Sequence, residues 1–297
     1  MDRCRPPGRD RRGKPMREPT QVDTFLRYFT LSMVKGAALE EAFRVRYQVY
    51  CREFGYERAE DCPGGQESDA FDAQAWHCAL AHRPSGMLAG YVRVVHAEAA
   101  DPLRELPMEQ HCRDSFTHPT LRPDRLDRDR SCEVSRLMVH GLFRRRRGEA
   151  ATPFGGADVP GFPPEQQRTF PLVGVSLFVA ATVLCVHHRK QHAFAMMEPS
   201  LVRILRQTGL AFTQVGEALD YHGWRAAYYI DSGDALAAIL RSDSLRQLCE
   251  HAQEQLLASH PVALRAPPQI TAPMPNAAGW CLPPWSRVRE WPPGVAP

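Results

Sequence analysis

Four groups of ionisable residues stand inside apolar runs or directly before them, where a charge is costly unless another group pairs with it. They are Arg46 in "RYQVY", the acidic trio Glu67, Asp69 and Asp72 in "ESDAFD", Arg93 in "GYVRV", and Glu133 with Arg136 in "EVSR". Arginines and carboxylates placed in this way are expected to satisfy one another in one network. Two readings fit such a network. It fixes a loop onto a sheet, or it is the polar half of a site where a carboxylate takes a proton and an arginine holds an anionic group. Spacing alone does not choose between them.

Other reactive side chains carry weaker signals. The nine cysteines sit singly with no CxxC pair, and their odd count suggests neither a zinc site nor a disulfide framework. That usage fits a reducing cytoplasm. Cys132 adjoins Glu133 but has no positioned base in the sequence, and reads as a small core residue. His187, His188 and His192 fall at an expected helix end, where cations favour the helix dipole, and no carboxylate or cysteine has ligand spacing to them. No metal is expected. Arg144, Arg145, Arg146 and Arg147 form an unbroken basic run ending at Gly148. The formal charge of +3 is too small to announce a nucleic-acid binder.

The elements that must position these groups follow from periodicity. Leu39, Ala42, Phe43, Val49 and Tyr50 recur at helical spacing and place Arg46 on the apolar face. After a polar loop broken by Pro63, Gly64 and Gly65, "HCALAHR" and "LAGYVRVVHA" form a hairpin around "PSGM". Residues 97–130 are charged and Pro-dotted, with a short helix in "LRELPMEQHC". "SCEVSRLMVH" is a strand whose alternation puts Glu133, Ser135, Leu137 and Val139 on one face, and Val134, Arg136 and Met138 on the other. A loop over 144–167 leads to an apolar helix from about Gln167 to Arg189. There follow the strand "AFAMME", a helix opened by Pro199 and stopped by Gly209, and two strands, "LAFTQVGEALDY" and "WRAAYYID", joined at "HG". One amphipathic helix from Ser232 to Leu257 closes the series. Such alternation predicts an α/β domain with a mixed central sheet flanked by helices.

At 297 residues, 43% hydrophobic and 24% charged, the chain can bury a full core. Residues 1–22 read as a disordered basic tail, 23–258 as the domain with insertions near 97–130 and 144–167, and 259–297 as a Pro-rich tail. No signal peptide is visible. Phe170 to Val186 approaches the length of a short membrane span, and reads instead as a helix buried against a sheet.

Taken in order, the motifs resemble the acyl-homoserine lactone (autoinducer) synthases. The elements are Arg46 with Val49 and Tyr50; Phe54, Gly55, Tyr56; Glu67, Asp69, Asp72; Gly90 with Arg93; and Glu133, Ser135, Arg136. "RYQVYCREFGY", "EVSRLMVHGLFRRRRGE" and "YHGWRAAYYID" resemble more closely the acyltransferases associated with exosortase and PEP-CTERM systems, relatives of N-acyl amino acid synthases. That likeness spans about Phe25 to Asp231. Tyr56 stands where the lactone synthases have Trp, and the 97–130 segment is longer than theirs. Both departures count against S-adenosylmethionine as acceptor.

The resemblance implies the GNAT fold, in which two central parallel strands splay apart and admit an acyl-pantetheine thioester. It places that splay around Glu133 to Val139 and Ala193 to Met197. Glu133 is then the proton acceptor, with Asp69 and Asp72 facing the acceptor's ammonium or holding the loop that covers it. Arg46, Arg93 and Arg136 are scaffold ions, one of them free for an acceptor carboxylate, and Ser135 is grouped with them in binding substrate. Arg144 to Gly148 either dock an acidic acyl carrier protein, receive coenzyme A, or form a solvated loop. The activity implied is transfer of a fatty acyl group from acyl carrier protein or coenzyme A to a small amine, with no permanent cofactor. Alternatives are a lactone synthase using S-adenosylmethionine and a non-catalytic partner of an export system.

Overall fold

Thr20 caps the first helix: its side chain accepts from the Asp23 N–H while Asp23 reaches back to the Thr20 N–H, a reciprocal cap that starts helix α1 (Gln21–Tyr28). The helix therefore begins inside the stretch expected as tail. The computed structural model describes residues 19–98, 105–144, 146–147, 155–156 and 162–257. The basic tail to residue 18, the Pro-rich tail, Arg145 and Gly148 lie outside the described residues.

Strand β1 (Phe29–Met33), which the sequence reading did not assign, follows α1 directly. Helix α2 (Ala37–Tyr47) continues into a π-helical turn, Gln48–Glu53, longer than the single helix expected. Strands β2 (Ala75–His82) and β3 (Met87–His96) form the expected hairpin, its turn closed by the Gly86 N–H on the His82 carbonyl with Gly86 at φ 71°. Helix α3 (Pro107–Cys112) lies in the long insertion, and β4 (Ser131–Val139) is the central strand. A short α4 (Gly141–Arg144) follows, then a two-residue pairing of β5 (Arg146–Arg147) with β6 (Gly155–Gly156), and α5 (Pro164–Gln167).

The apolar helix α6 (Pro171–His187) packs against β2, β3 and β4 on one side and later helices on the other, which accounts for its lack of a polar face. Among the described residues no helix is long and apolar enough to cross a membrane. Then come β7 (His192–Met197), α7 (Pro199–Gln207), β8 (Thr213–Gln214), β9 (Leu219–Asp220), β10 (Trp224–Asp231), α8 (Ser232–Leu240) and α9 (Asp243–Leu257). The single C-terminal helix of the sequence reading is thus two. Arg246 donates to the Leu240 carbonyl at 3.1 and 2.9 Å, and Ser242 and Asp243 restart the chain as helix-opening residues.

The main sheet runs β1-β2-β3-β4-β7-β10-β8, with β9 also on β10, and every neighbour is antiparallel except β4 and β7. The strand expected over Leu210–Tyr221 is broken into β8 and β9 because the insertion docks there. Phe116 bridges Gly216, and the Thr117 and His118 N–H groups donate to the Val215 carbonyl. One sheet face carries α1, α6, α8 and α9 over the largest core; the other carries α2 and the α3 segment. Gly90 is fixed by close approach, since a Cβ there would lie 2.8 Å from Leu177 of α6.

Alternation along β4 breaks at Arg136, which sits at φ 50° where the register to β3 shifts between Tyr91 and Arg93. Arg136 and Met138 consequently share the face of Glu133 and Ser135, while Leu137 and Val139 join Val134 against α6. The sequence reading had the second half of this strand inverted, because a strict two-residue period cannot foresee an extra residue.

Candidate active site

Strands β4 and β7 pair in parallel at Ser131–His192, Cys132–Ala193 and Glu133–Phe194, and there the pairing stops. Beyond it β4 runs on to Val139 and β7 to Met197 without facing each other. A wedge opens whose apex is Glu133.

Beside the wedge the predicted ions converge. Arg46, from the apolar face of α2, is fully buried and donates to Glu67 at 2.5 Å and Asp72 at 2.7 Å, with the rings of Phe43 and Tyr91 against its guanidinium. Arg93, from β3, is also fully buried. It grips Asp69 at 2.6 and 2.8 Å, meets Asp72 at 2.7 Å, and donates its Nε to the Ser135 hydroxyl at 2.9 Å. Arg136 reaches Glu67, Asp69 and Glu57 at 3.0 to 3.2 Å. Asp69 also caps the turn Ala70–Gln74 by accepting from the Phe71 N–H, and Asp72 accepts from the Asp69 N–H, so the acidic loop is folded around its own carboxylates.

Electrostatics sort these carboxylates into two kinds. Burial raises the Asp72 carboxyl, but Arg46 and Arg93 outweigh it and hold the group down to about 2. Burial likewise opposes, and the arginines overcome it, at Glu67 and Asp69, both held below the usual range. These three are fixed anions. Glu133 differs: burial pushes its carboxyl up to about 7 against the Met108 N–H donated at 2.7 Å and the charges of Arg93 and Arg136. It is 3% exposed and makes no ion pair among the described residues. A carboxyl of that kind exchanges a proton near neutral pH.

Cys132 points away, its sulfur 3.5 Å from that of Cys185, and this contact together with burial pushes its thiol well up. It is unsuited to nucleophilic work.

The rim is formed by Phe54, Tyr56 and Arg144, named from the sequence, together with Glu57, His222 and Arg225, which the sequence reading did not single out. Tyr56 stacks on Phe54 at 5.1 Å, Arg144 lies 4.6 Å over Phe54, and Arg225 lies 5.2 Å over Tyr56, so a cation–ring–ring–cation stack links the end of β4 to the start of β10. His222, at φ 54° before Gly223, faces Glu57 at 3.5 Å. Of the predicted docking run, Arg144 is spent on Glu53, the Val139 carbonyl and the Phe54 ring. Only backbone is described for Arg146 and Arg147. Helix α6 opens on Pro171, which has no N–H, and the N–H groups of Leu172 and Val173 already bond to Thr169 and Phe170 at 2.9 and 3.0 Å. That helix end offers an anion little. On the α6 side of the wedge lies an apolar cavity of about 40 Å³, lined by Val134, Phe178, Ala181, Ala195 and Phe212 among others.

Residues 45–152 match the model of a GNAT acetyltransferase domain. The chain has the GNAT fold. With that domain it carries the machinery of an enzyme that transfers acyl groups. Similar solved structures include the acyl-homoserine lactone synthase LasI, 14% identical over 69% of this chain and 89% of that one, with a TM-score of 0.47. A CoA-dependent acyl-homoserine lactone synthase, BjaI, solved with SAM and isopentyl-CoA, is 16% identical over 74% and 98%, TM-score 0.46. FeeM, an N-acyl amino acid synthase from uncultured soil microbes, is 14% identical over 69% and 90%, TM-score 0.45. No curated protein matches the sequence.

Proposed function

We propose that the protein moves a fatty acyl group from the thioester of an acyl carrier protein to the amine of a small acceptor, an amino acid. The observation that carries this reading is Glu133, a buried carboxyl poised near neutral pH at the apex where β4 and β7 part. The thioester carbonyl enters the wedge, and its acyl chain extends toward the apolar cavity beside Val134 and Ala195. Glu133 takes a proton from the acceptor ammonium, directly or through water. The freed amine attacks the carbonyl carbon, forming the C–N bond. The edge of β4 beyond Glu133, no longer paired to β7, presents N–H groups toward the resulting oxyanion. Collapse breaks the C–S bond, and the pantetheine thiolate leaves with the remaining amine proton. Asp72 and Glu67 hold Arg46, Arg93 and Arg136 in place, while Asp69, 26% exposed, faces the acceptor's ammonium.

Carrier protein is favoured over coenzyme A as donor because the opening turn of α6 has its early N–H groups absent or engaged, leaving little to cradle a pyrophosphate. The likeness of "YHGWRAAYYID" to exosortase-associated acyltransferases supports the amino-acid acceptor. Purified protein incubated with a series of fatty acyl carrier protein and acyl-CoA thioesters, and with amino acids or S-adenosylmethionine, is read by mass spectrometry. N-acyl amino acids from the carrier thioesters are expected. Acyl-homoserine lactone made from S-adenosylmethionine would move the protein to the lactone synthases, and the absence of any acylated product would end the transferase reading.

A further inference from the structure

The wedge's three arginines are spoken for. Arg46 serves Glu67 and Asp72, Arg93 serves Asp69 and Asp72, and Arg136 serves Glu57, Glu67 and Asp69. Arg46 Nη2 has no hydrogen-bond partner among the described residues, but it is fully buried, and the charge of each arginine is already met by these carboxylates. Arg225 has charge to spare for an acceptor carboxylate. It is half-buried at the rim, and among the described residues its side chain makes no ion pair and no hydrogen bond; its guanidinium lies over the Tyr56 ring, within electrostatic reach of His222 and Tyr50.

Its position suits an acceptor. On β10 Arg225 shares a face with Ala227, and Ala227 packs with Phe194 and Met108, the group against which Glu133 lies. The stack of Arg144, Phe54, Tyr56 and Arg225 ties the guanidinium at the start of β10 to the segment that follows β4. A guanidinium resting on a ring is pre-oriented, and its N–H donors match a carboxylate bidentately. The carboxylates Glu57 and Asp69, at 31% and 26% side-chain exposure, lie on the same rim and suit an ammonium. The rim is therefore dipolar.

We propose that Arg225 binds the carboxylate of the acceptor and so selects α-amino acids over simple amines. The inference rests on the acyl-transfer reading above and specifies its acceptor. Arg225 acts on binding and takes no part in the proton transfer at Glu133.

The test compares each amino acid with the amine that lacks only its carboxylate, such as L-tyrosine with tyramine and L-leucine with 3-methylbutan-1-amine. Wild type, Arg225→Ala, Arg225→Gln and Arg225→Lys are assayed with an acyl carrier protein thioester, after thermal melting has checked each fold. Gln keeps the stem against Tyr56 and is the variant read if Ala unfolds. Loss of the charge is expected to raise KM for the amino acid about 10- to 100-fold while kcat and the KM for the amine change little. Lys, a point charge without the fork, is expected to recover part of the loss. An unchanged amino-acid KM in Arg225→Gln, or an equal loss for amino acid and amine, overturns the inference alone. Wild type that acylates amines in preference to amino acids also overturns it and leaves acyl transfer standing. Wild type that acylates nothing overturns both.

Discussion

Arg93 holds Asp69 through both terminal nitrogens, at 2.6 and 2.8 Å, and so ties the middle of the sheet to the acidic loop that covers it. The pair is fully buried on the arginine side and partly open on the aspartate side. This asymmetry keeps the cations in the interior and leaves carboxylate oxygen at the rim. The same network is thus both scaffold and surface.

Removing one cation should show how much of the network is scaffold. Arg46→Ala would leave Glu67 and Asp72 buried with one partner fewer, and breaking such a pair costs about 3–5 kcal/mol. Urea denaturation is expected to show a loss of that order. A change within experimental error would mean that water or neighbouring arginines compensate.

Asp72 gives the network an acid limit. Its carboxyl titrates at about 2 in the fold, below the ordinary aspartate value of about 3.9. A depressed carboxylate stabilises the fold above its unfolded value, and that contribution is lost as pH falls through the folded one. Asp72 should therefore contribute about 2 kcal/mol near neutrality, disappearing between about pH 4 and 2. Stability curves of wild type and Asp72→Asn against pH are expected to converge in that window. Parallel curves would contradict it.

Glu133 has the opposite sign. Burial raises its carboxyl to about 7, so the folded state prefers the proton and loses stability as pH rises from about 4 to 7. Glu133→Gln removes that penalty while its amide oxygen can still accept from the Met108 N–H. The variant is expected to be more stable than wild type by about 3 kcal/mol above pH 8, and nearly equal to it at pH 4. Thermal melts at the two pH values check this, and a variant less stable than wild type at both would refute it.

The proposed acyl path leads toward the apolar cavity, a space of about 40 Å³ that is smaller than a fatty chain and must widen to admit a long one. Ala181→Val narrows it from the α6 side, and a methyl-sized misfit in an apolar pocket is worth about 10-fold or more in rate. The longest accepted acyl chains are expected to lose turnover by that factor, with short ones unaffected. A uniform loss across chain lengths would place the chain elsewhere.

Much of this was readable from residue order, and the failures have physical causes. Arg46 on an apolar helix face and Arg93 inside a strand announced buried pairing, because no isolated charge survives there. The hairpin, α6 and the helix opened at Pro199 followed from periodicity and turn residues. The facing of Arg136 did not, since a left-handed residue adds a step that alternation cannot count. Helix α1 and β1 were missed beside a polar tail, and the broken strand at Gly216 depends on the insertion that docks on it. Glu57 carries no local signal, and although His222 and Arg225 fall within "YHGWRAAYYID", nothing in that segment marks either as a site residue. One lies in a polar loop and the others in or just after a turn, and only the fold brings them together.

The central claim is that Glu133 at the parting of β4 and β7 accepts the acceptor's proton. The most direct measurement is kcat/KM against pH for wild type and Glu133→Gln, with an acyl carrier protein thioester and an amino acid. Wild type should rise through an inflection near pH 7 as the carboxyl ionises, and the variant should keep its fold, lose the inflection and fall about 100- to 10,000-fold in rate. A folded Glu133→Gln protein with the wild-type rate and the same pH profile would contradict the account.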